Sequence, residues 1–427
     1  MNRRRSAEVA SATARDSAIA AAVERWFRGN ARDLPWRSKG PSRDPYHALV
    51  SEAMLQQTQV SRVVERFGAF IERFPTVHAL AAADEGEVLG LWSGLGYYRR
   101  ARNLHAAAKA VVAEWGGRIP EDVEDLMRLP GVGRYTAGAI SSIAFGRAAP
   151  IVDGNVMRVL MRVENRSGRG ADPSSPAAQR WAWERAEALV AAAGAPGVFN
   201  EGLMELGATV CTPRSPRCGA CPLRDLCLAR EAGTQERVPR PKQAAARRDV
   251  YFACVVAADG PRGKVLVEQR SARSAGPSGS MWAGLWQAPA LERADRPPTA
   301  AEVAAFAGVA ESAVAPAGAF THTTSHRLVH FQVWSVRFGR RRPARGVWMD
   351  AAAAAELGLS NPQRRILLGS GGGRQPGAPS SQSRGSRSRS PALSKSSTSG
   401  GRPRGGPTSG GGGRRASIRE RIRRERA

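Results

Sequence analysis

Four cysteines in the middle of the chain have the residue type and the spacing of a metal-binding loop. Cys211, Cys218, Cys221 and Cys227 are separated by six, two and five residues. Four thiolates in one short loop can hold a [4Fe-4S] cluster, and zinc is the competing occupant. Structural zinc sites usually pair two Cys-x-x-Cys knuckles across a longer gap, whereas here only Cys218 and Cys221 form such a knuckle. The spacing therefore favours an iron-sulfur cluster over zinc, and both over unliganded or disulfide-bonded thiols.

The composition indicates what kind of molecule this loop belongs to. With 427 residues, 42% of them hydrophobic and 24% charged, the chain can bury cores in about two or three domains. We find neither a signal peptide nor a run of membrane-spanning length, and we expect a soluble, cytoplasmic protein with reduced thiols. The formal net charge of +27 points to a polyanionic partner such as nucleic acid, although part of the arginine and alanine content can reflect genome composition.

Shifts in composition divide the chain into segments. We predict a disordered N-terminus at 1–18, a helical domain at 19–230, a linker at 231–248, a second domain at 249–368 and a disordered basic tail at 369–427. The tail is dominated by Gly, Ser, Pro and Arg, and has too little apolar surface to offset the entropy of ordering. Its last segment could become helical against DNA, but a solvated charged terminus is the simpler interpretation.

The first domain is predicted to be helical and to contain an anion-binding turn. Its apolar residues recur at helical spacing, as in Val60, Val63, Val64, Phe67 and Phe70. Within the segment 129–140, Gly131 and Gly133 separate two helical stretches, and their backbone N–H groups could point outward at a phosphate. This turn resembles the DNA-gripping hairpin of the helix-hairpin-helix class, and a Gly-rich connection between packed helices is the alternative.

Longer motifs make the resemblance more specific. Before the cysteine loop the chain carries, in order, Leu-Pro-Trp-Arg at 34–37, Ser-Glu-Ala-Met-Leu-Gln-Gln-Thr at 51–58, Gly-Leu-Gly-Tyr-Tyr at 94–98 and Val-Asp-Gly-Asn-Val at 152–156. In this combination it resembles the MutY-type adenine DNA glycosylases of the endonuclease III superfamily, from about Trp26 to Cys227 and more weakly to Leu368. The resemblance implies a multidomain fold, with a mainly α helix-hairpin-helix glycosylase domain and its [4Fe-4S] loop, then an α+β Nudix-like domain and a disordered basic tail.

The resemblance assigns the chemistry to two carboxyl groups. Releasing adenine from its sugar needs a proton on the leaving base and stabilisation of an oxocarbenium-like sugar, and carboxyl groups of different pKa can supply both. Glu52 lies among apolar residues on a predicted helix, where desolvation would raise its pKa and keep it protonated as the acid. Asp153 is predicted to cap a helix, and the resemblance adds stabilisation of the sugar, with Asn155 helping to hold sugar and water.

Tyr135 distinguishes two kinds of enzyme within the superfamily. Bifunctional members carry a Lys at the corresponding hairpin position, and its amine forms a Schiff base that leads to strand cleavage. A phenol cannot form that intermediate. We therefore expect base removal that leaves an abasic site, with at most weak strand nicking.

The resemblance also assigns residues that bind the base and the DNA. Arg37, Trp36 and Glu201 are similar to adenine-pocket residues: Glu201 could accept a hydrogen bond from the exocyclic amine, and Arg37 could orient the base and the acid. By the same resemblance the residues that enter the base stack beside the lesion, or lie next to them, are Leu55, Gln57, Thr58 and Tyr97. Core packing is the alternative for Tyr97 and the adjacent Tyr98.

Two groups are expected to contact DNA phosphate. They are the amides of Gly131 and Gly133 and, in the cysteine loop, the side chains of Arg214 and Arg217. For the cluster itself we expect structural support of this loop rather than bond chemistry.

The second domain changes to a β pattern. Short apolar runs occur at 250–256, 263–268 and 328–336, with an Ala-rich helical stretch around 300–306. With Ser-Met-Trp-Ala-Gly-Leu-Trp at 280–286 the pattern resembles the Nudix-like domain of the same family. We find no acidic Nudix box and expect no metal-dependent nucleotide hydrolysis. Cys254 is predicted to be a core residue of the first strand.

The loop 320–326 is the predicted lesion reader. The family inspects 8-oxoguanine there with a Phe-Ser-His triplet, and Ser325 and His326 keep its hydrogen-bonding groups. Thr324 cannot supply the aromatic ring, so lesion recognition departs from the family pattern at this contact. A solvated turn is the alternative interpretation.

Together these observations predict a monofunctional glycosylase of base excision repair. We expect a monomer, cytoplasmic and nucleoid-associated, that hydrolyses the N-glycosidic bond of adenine paired with 8-oxoguanine or guanine in double-stranded DNA. A pyrimidine-lesion glycosylase with lyase activity is the same-fold alternative, which Tyr135 and the second domain disfavour. A non-catalytic iron-sulfur DNA-binding sensor is the alternative from another class.

Overall fold

Helices build the first 230 residues. The computed structural model describes residues 2–37, 43–240, 246–271, 276–279, 281–340 and 343–369. In chain order the helices of this part are α1 (Asn2–Asn30), α2 (Pro45–Leu55), α3 (Val60–Arg73), α4 (Val77–Ala82), α5 (Glu85–Leu91), α6 (Arg99–Trp115), α7 (Val123–Arg128), α8 (Arg134–Phe145), α9 (Gly154–Val163), α10 (Pro176–Ala191), α11 (Pro196–Thr209) and α12 (Leu228–Glu231). The predicted helical character of this half is confirmed.

The first helix corrects one prediction. It begins at Asn2, so the segment expected to be a disordered N-terminus is helical. The segment has neither Gly nor Pro before Gly29, and it is rich in Ala and Arg, which are strong helix formers. It also continues into a packed part, where Ile19 and Val23 are buried, so tertiary contacts stabilise the helix that begins at Asn2.

The helical half contains two apolar cores. One is built from α2 to α8 and centres on Phe70, Phe74 and Trp92, whose rings meet edge to face at 5.1 and 6.1 Å. The other joins α1 to α8 through α11, with Val23 and Phe199 fully buried. Burying each large side chain contributes about 1.5 to 3 kcal/mol relative to exposure. Side chains that lie between the two cores are held by rigid helices on both sides.

Two small sheets follow. The strands are β1 (Arg248–Ala257), β2 (Lys264–Gln269), β3 (Trp286–Gln287), β4 (Ala290–Arg293), β5 (Val314–Thr323), β6 (Arg327–Val336) and β7 (Val347–Asp350), and the helices are α13 (Ala300–Ala307), α14 (Ala351–Ala355) and α15 (Asn361–Leu368). One sheet has the order β4-β1-β6-β5 and the other β3-β2-β7. β1 and β6 run parallel, and the other pairs are antiparallel. The predicted mixture of strands and helix is confirmed.

Register in the larger sheet brings aromatic rings together. Phe252 of β1 faces Phe331 of β6 with ring centroids 5.3 Å apart, and Phe320 of β5 stacks on Phe331 at 5.0 Å. Cys254, also on β1, is fully buried in the same core, as predicted. α13 begins with a capping box between Thr299 and the third helical residue.

The sheets and the helices lie within a single compact unit, residues 1–367. Leu285, just before β3, is buried in the first helical core. The carbonyl oxygen of Leu359 accepts hydrogen bonds from the hydroxyls of Tyr98, at 2.5 Å, and Ser93, at 3.2 Å. These contacts fix the second domain against the start of α6.

The predicted linker begins packed against the helical domain. Val238 is 1% exposed, and its carbonyl accepts a hydrogen bond of 2.7 Å from Arg162 of α9. Residues 241–245 of the linker, and the predicted tail beyond Gly369, lie outside the described residues. Within the part of the chain that is described, no helix is both long and apolar enough to cross a membrane.

Candidate active site

A cavity of about 610 Å³ opens between the two helical cores. Its volume lies within the range of small-ligand pockets, about 300 to 1,000 Å³. The end of α2, the starts of α8 and α9, and the middle and end of α11 form its walls. Of the residues predicted from the sequence, those that line it are Trp36, Arg37, Glu52, Leu55, Gln57, Thr58, Tyr135, Asp153, Asn155 and Glu201. The predicted catalytic and base-pocket residues therefore converge in one place.

Glu52 occupies the last turn of α2. The helix is fixed at its start by Asp44, whose side chain accepts hydrogen bonds from the next backbone amides, and by a proline at its first position. The Glu52 side chain is buried and faces the cavity. Burial raises its pKa to about 7; the nearby Asp153 and Glu201 add to the rise, while a hydrogen bond from Tyr135 opposes it. The environment expected for a general acid is present.

Asp153 caps α9, as predicted. Its Oδ1 accepts a 2.7 Å hydrogen bond from the amide of Val156, and its Oδ2 accepts one of 3.2 Å from Asn155 Nδ2. Burial raises the pKa of Asp153, and these donors act in the opposite direction. Asn155 in turn accepts from Arg158, whose Nε donates to the carbonyl of Cys211 at 2.8 Å. Arg158 was missed by sequence reasoning, because its partners lie on separate segments.

Tyr135 lies between the two carboxyl groups. It is on the first turn of α8, and its hydroxyl donates to the sulfur of Met204 at 2.9 Å. Burial, together with the charges of Glu52 and Asp153, raises its pKa well above 10, so the phenol stays protonated. Among the described residues that line the cavity there is no lysine.

Arginines and glutamates form a network at the far wall. Arg37 donates to Glu201 and Glu205 at 3.0 Å each, and Arg43 donates to the other oxygen of Glu201 at 2.7 Å. Burial raises the pKa of Glu201 against the pull of both arginines. For Glu205 burial acts in the same direction, but bonds from Arg32 and Arg37 outweigh it and lower the pKa.

This network differs from the sequence prediction in one contact. Arg37 was expected to orient Glu52, but it bonds to the two glutamates of α11 and reaches Glu52 only through its charge. Arg43 and Glu205 were missed. The available signal was the spacing on α11, since residues four apart share one helix face and Glu205 therefore lies beside Glu201.

Gln57 and Tyr97, the wedge residues that are predicted to enter the base stack beside the lesion, have unusual backbone conformations. Gln57 and Tyr97 have φ angles of 57° and 45°, in the left-handed region that residues other than glycine rarely adopt. The Tyr97 side chain is 48% exposed, whereas Tyr98 is 6% exposed. The core alternative therefore applies to Tyr98, and the Tyr97 ring lies at the surface.

The glycine hairpin between α7 and α8 is accessible at the residues predicted to bind phosphate. Gly131 has a φ of 79°, and a side chain there would collide with Asn103. A side chain on Gly133 would meet no atom within 4 Å. Gly133 is also the N-cap of α8, so the first amides of that helix are accessible to an anion.

The four cysteines surround a second, smaller cavity. All four line it together with Arg162, whose Nη1 lies 3.3 Å from Cys211 Sγ. Burial raises the pKa of Cys221 to about 12, so a positive centre is needed for the thiolate form. Four sulfur ligands with an arginine beside them fit an iron-sulfur cluster. In the same loop Arg214 is exposed, and Arg217 donates to the carbonyl of Thr209.

Comparison with known proteins agrees with this arrangement. Residues 50–185 match the HhH-GPD superfamily of base excision DNA repair proteins, 211–227 the iron-sulfur binding domain of endonuclease III, and 253–369 the NUDIX domain. The chain is 35% identical over 402 residues to the human adenine DNA glycosylase, a match that covers 80% of this chain and 72% of that protein. The chain belongs to the adenine DNA glycosylase family. Its cysteine loop is the iron-sulfur loop and carries a [4Fe-4S] cluster.

Other adenine DNA glycosylases match a shorter part of this chain. The adenine DNA glycosylase of Mycolicibacterium smegmatis is 47% identical over 208 residues, a match that covers 49% of this chain and 68% of that relative. This chain covers 59% of the rat adenine DNA glycosylase. A solved thermostable thymine-DNA glycosylase is 30% identical, with a TM-score of 0.46 and coverage of 52% of this chain and 99% of that one.

In this member of the family the loop expected to read the lesion is a tight hairpin turn between β5 and β6. Thr324 forms the turn: its Oγ1 accepts from the amide of Arg327 at 3.0 Å, and its own amide donates to the carbonyl of Arg327 at 2.9 Å. The residue at the family's aromatic position is thus used for local structure. Ser325 and His326 are exposed.

The turn reaches the helical domain through one side chain. The hydroxyls of Ser325 and Tyr97 lie 2.5 Å apart and share a hydrogen bond. The predicted wedge and the predicted reader are therefore adjacent, although 228 positions separate them in the chain.

Proposed function

We propose that this protein is a monofunctional glycosylase that releases adenine paired with 8-oxoguanine or guanine in double-stranded DNA. One observation carries the proposal: a buried carboxyl group, Glu52, and a partly buried one, Asp153, face one cavity in different electrostatic settings. Two such groups are what N-glycosidic bond hydrolysis needs. Membership of the adenine DNA glycosylase family supports adenine as the base.

Binding comes first. An adenine inside a duplex is out of reach of the cavity, so it must leave the base stack. The accessible amides at Gly131 and Gly133 would hold phosphate on one side. Gln57 and Tyr97 would fill the space that the base leaves, since both stand at the surface on turns with fixed, unusual backbone angles.

The acid acts on the leaving base. Glu52, with a pKa of about 7, holds a proton at neutral pH in a large share of molecules and would donate it to a ring nitrogen of adenine. The electron pair of the C–N bond then leaves with the base as neutral adenine. Tyr135 lies close enough to Glu52 to oppose the rise of its pKa.

The second carboxyl group, Asp153, acts on the sugar. When the bond breaks, positive charge develops at the anomeric carbon, and the carboxylate of Asp153 would stabilise it or bond to it transiently. Asn155, hydrogen-bonded to Asp153, would hold the sugar and the water. That water adds to the anomeric carbon and returns a proton to Glu52, which leaves an abasic site. Because Tyr135 has no amine, no Schiff base forms and the strand stays intact.

The far wall would select the base. Arg37 and Arg43 hold both oxygens of Glu201, which fixes the carboxylate where its remaining lone pairs can accept the exocyclic amine of adenine. Trp36 supplies an aromatic surface at the same wall. Glu205 balances the charge of Arg37.

The opposite strand would be read by the hairpin turn. Ser325 and His326 provide hydrogen-bonding groups for 8-oxoguanine, and Tyr97 supplies the aromatic surface that Thr324 lacks. The bound cluster would hold its loop in shape, while Arg214 and Arg217 meet DNA phosphate. A cytoplasmic, nucleoid-associated monomer is proposed as the working form.

Glu52→Gln tests the proposal. The variant keeps the size of the side chain and cannot supply an acid proton, so adenine release should fall by about 100- to 10,000-fold while binding to an 8-oxoguanine:adenine duplex is retained. Glu65→Gln, at an exposed residue of α3, is the matched control. Unchanged activity on DNA in Glu52→Gln would exclude this acid. A wild-type protein that binds the duplex and releases no base would indicate a sensor, and release of a damaged pyrimidine with strand breaks would indicate the lyase alternative.

A further inference from the structure

The guanidinium of Arg100 joins two separate turns of the helical domain. It lies on the first turn of α6, and its acceptors belong to the end of α2, to the turn that follows α2 and to the turn before α6. They are the carbonyl oxygens of Ala53 at 2.8 Å and Met54 at 2.7 Å, Thr58 Oγ1 at 2.8 Å, and the carbonyl oxygens of Leu95 at 3.0 Å and Gly96 at 3.1 Å. One planar fork with several donors can bridge these groups in a fixed geometry, which a single ammonium cannot do.

The two bridged turns carry the two strained wedge residues. Gln57 precedes Thr58, and Tyr97 follows Gly96, so each lies next to an acceptor of Arg100. A left-handed backbone at a residue other than glycine costs about 1 to 2 kcal/mol and persists only where the surroundings hold it. The bonds of Arg100 supply that restraint on both turns at once. The guanidinium carbon also lies 5.6 Å from the centre of the Tyr97 ring.

Placing the charge of Arg100 at this position is unfavourable in free energy. No carboxylate in the described parts of the chain forms an ion pair with it, and its Nε is buried without a hydrogen-bond partner. Burial lowers its pKa to about 10, with Tyr97 opposing. An unpaired, partly buried cation is weak evidence for stability, so a role in placing the attached groups is the better explanation.

We infer that Arg100 is a positioning residue for lesion recognition: it holds the Gln57 and Tyr97 turns at one spacing so that both side chains enter the base stack together. The hydrogen bond between the hydroxyls of Tyr97 and Ser325 extends the same unit to the reader turn. The inference rests on the proposed function, since it needs a base to be extruded. We expect Arg100 to affect extrusion of the base and preference for the lesion, and to leave proton transfer by Glu52 unchanged.

Arg100→Lys in the full-length, cluster-loaded protein tests this inference. The charge is kept and the fork is lost. Arg99→Lys, the same change at the neighbouring exposed residue, is the control. Two signals are measured: single-turnover adenine release from an 8-oxoguanine:adenine duplex across pH, and the fluorescence rise of 2-aminopurine placed opposite 8-oxoguanine, which reports unstacking. Arg100→Lys should lower adenine release by about 10- to 100-fold and diminish the fluorescence rise, with the alkaline pH midpoint unchanged.

The outcomes separate this inference from the proposed function. If wild type releases no adenine, the proposed function fails. If wild type is active and Arg100→Lys either matches it or shows full fluorescence with a shifted pH midpoint, the positioning role is contradicted. Should Arg100→Lys fail to fold, Thr58→Val removes one acceptor and leaves Arg100 in place; it should diminish the same two signals by a smaller factor, and wild-type signals would overturn the inference.

Discussion

The cavity between the helical cores and the hairpin turn at Thr324 to His326 differ in how their residues are held. In the cavity, Glu52 is buried and Asp153 is fixed by a helix cap, and the pKa of each is raised by burial. In the turn, Ser325 and His326 are exposed, and one hydrogen bond links Ser325 to the helical domain. A carboxyl group that keeps its proton near neutral pH needs desolvation, which the surrounding fold supplies to Glu52. A reader of DNA must instead stay open until the DNA arrives.

After Glu52→Gln, the largest effect is expected from Asp153→Asn. Asparagine keeps the cap on α9, because its oxygen can still accept from the amide of Val156, but it removes the negative charge beside the sugar. Adenine release should fall by about 100- to 1,000-fold, with little change in the thermal midpoint. Single-turnover kinetics and thermal unfolding measure the two quantities.

Asp84→Asn is the matched control for that variant, since Asp84 caps α5 in the same way, away from the cavity. Its release rate should equal that of wild type. If Asp153→Asn loses stability in proportion to activity, the cap alone would explain Asp153, and the distinction between cavity and turn would weaken.

Changing the pH should alter kcat/KM less than Asp153→Asn does, and it tests the same two carboxyl groups. Glu52 must be protonated to act, and its pKa is about 7, so the rate should fall as pH rises through 7. Asp153 must be ionised, and its pKa is also raised, so the rate should fall again on the acid side, at a pH above the usual range of an aspartate.

Tyr135→Phe sharpens the pH experiment. The hydrogen bond from Tyr135 lowers the pKa of Glu52, so its loss should move the alkaline midpoint upward. A profile that stays flat between pH 6 and 9 in wild type would contradict a buried acid at Glu52.

The smallest effect is expected in the reader turn. Ser325→Ala removes one hydrogen bond at an exposed site, worth about 0.5 to 1.5 kcal/mol, so preference for 8-oxoguanine:adenine over guanine:adenine should fall by about 2- to 10-fold. Competition binding with the two duplexes measures it, with Ser312→Ala, at an exposed residue just before β5, as the control. A loss as large as that of Asp153→Asn would place the reader among the parts required for chemistry.

Sequence could predict the cavity because its residues sit in contiguous motifs on helices. Periodicity predicted the helices, and the motifs predicted Glu52, Tyr135 and Asp153, which the fold then brings together. Arg43, which bonds to Glu201, and Arg158, which bonds to the carbonyls of Gly207 and Cys211, were missed because spacing along the chain carries no signal for such distant pairs. Glu205 was also missed, although its spacing from Glu201 on α11 was a usable signal.

Other features depended on contacts that no local pattern encodes. The N-terminal segment was predicted to be disordered, but it is helical. The helix is stabilised where Ile19 and Val23 are buried, and the composition of the preceding segment does not reveal that contact. Tyr97 and Tyr98 are adjacent in sequence, yet one is exposed and the other is buried against Leu359 of the second domain. The use of Thr324 as a turn residue likewise appears only once β6 is in place.

The most direct test of the account uses one duplex with a central 8-oxoguanine:adenine pair and the wild-type, cluster-loaded protein. Free adenine is quantified, and strand breaks are compared before and after treatment with alkali. The account predicts adenine release with breaks that appear only after alkali. A preparation that binds this duplex and releases no adenine, or that cuts the strand without alkali, would contradict it.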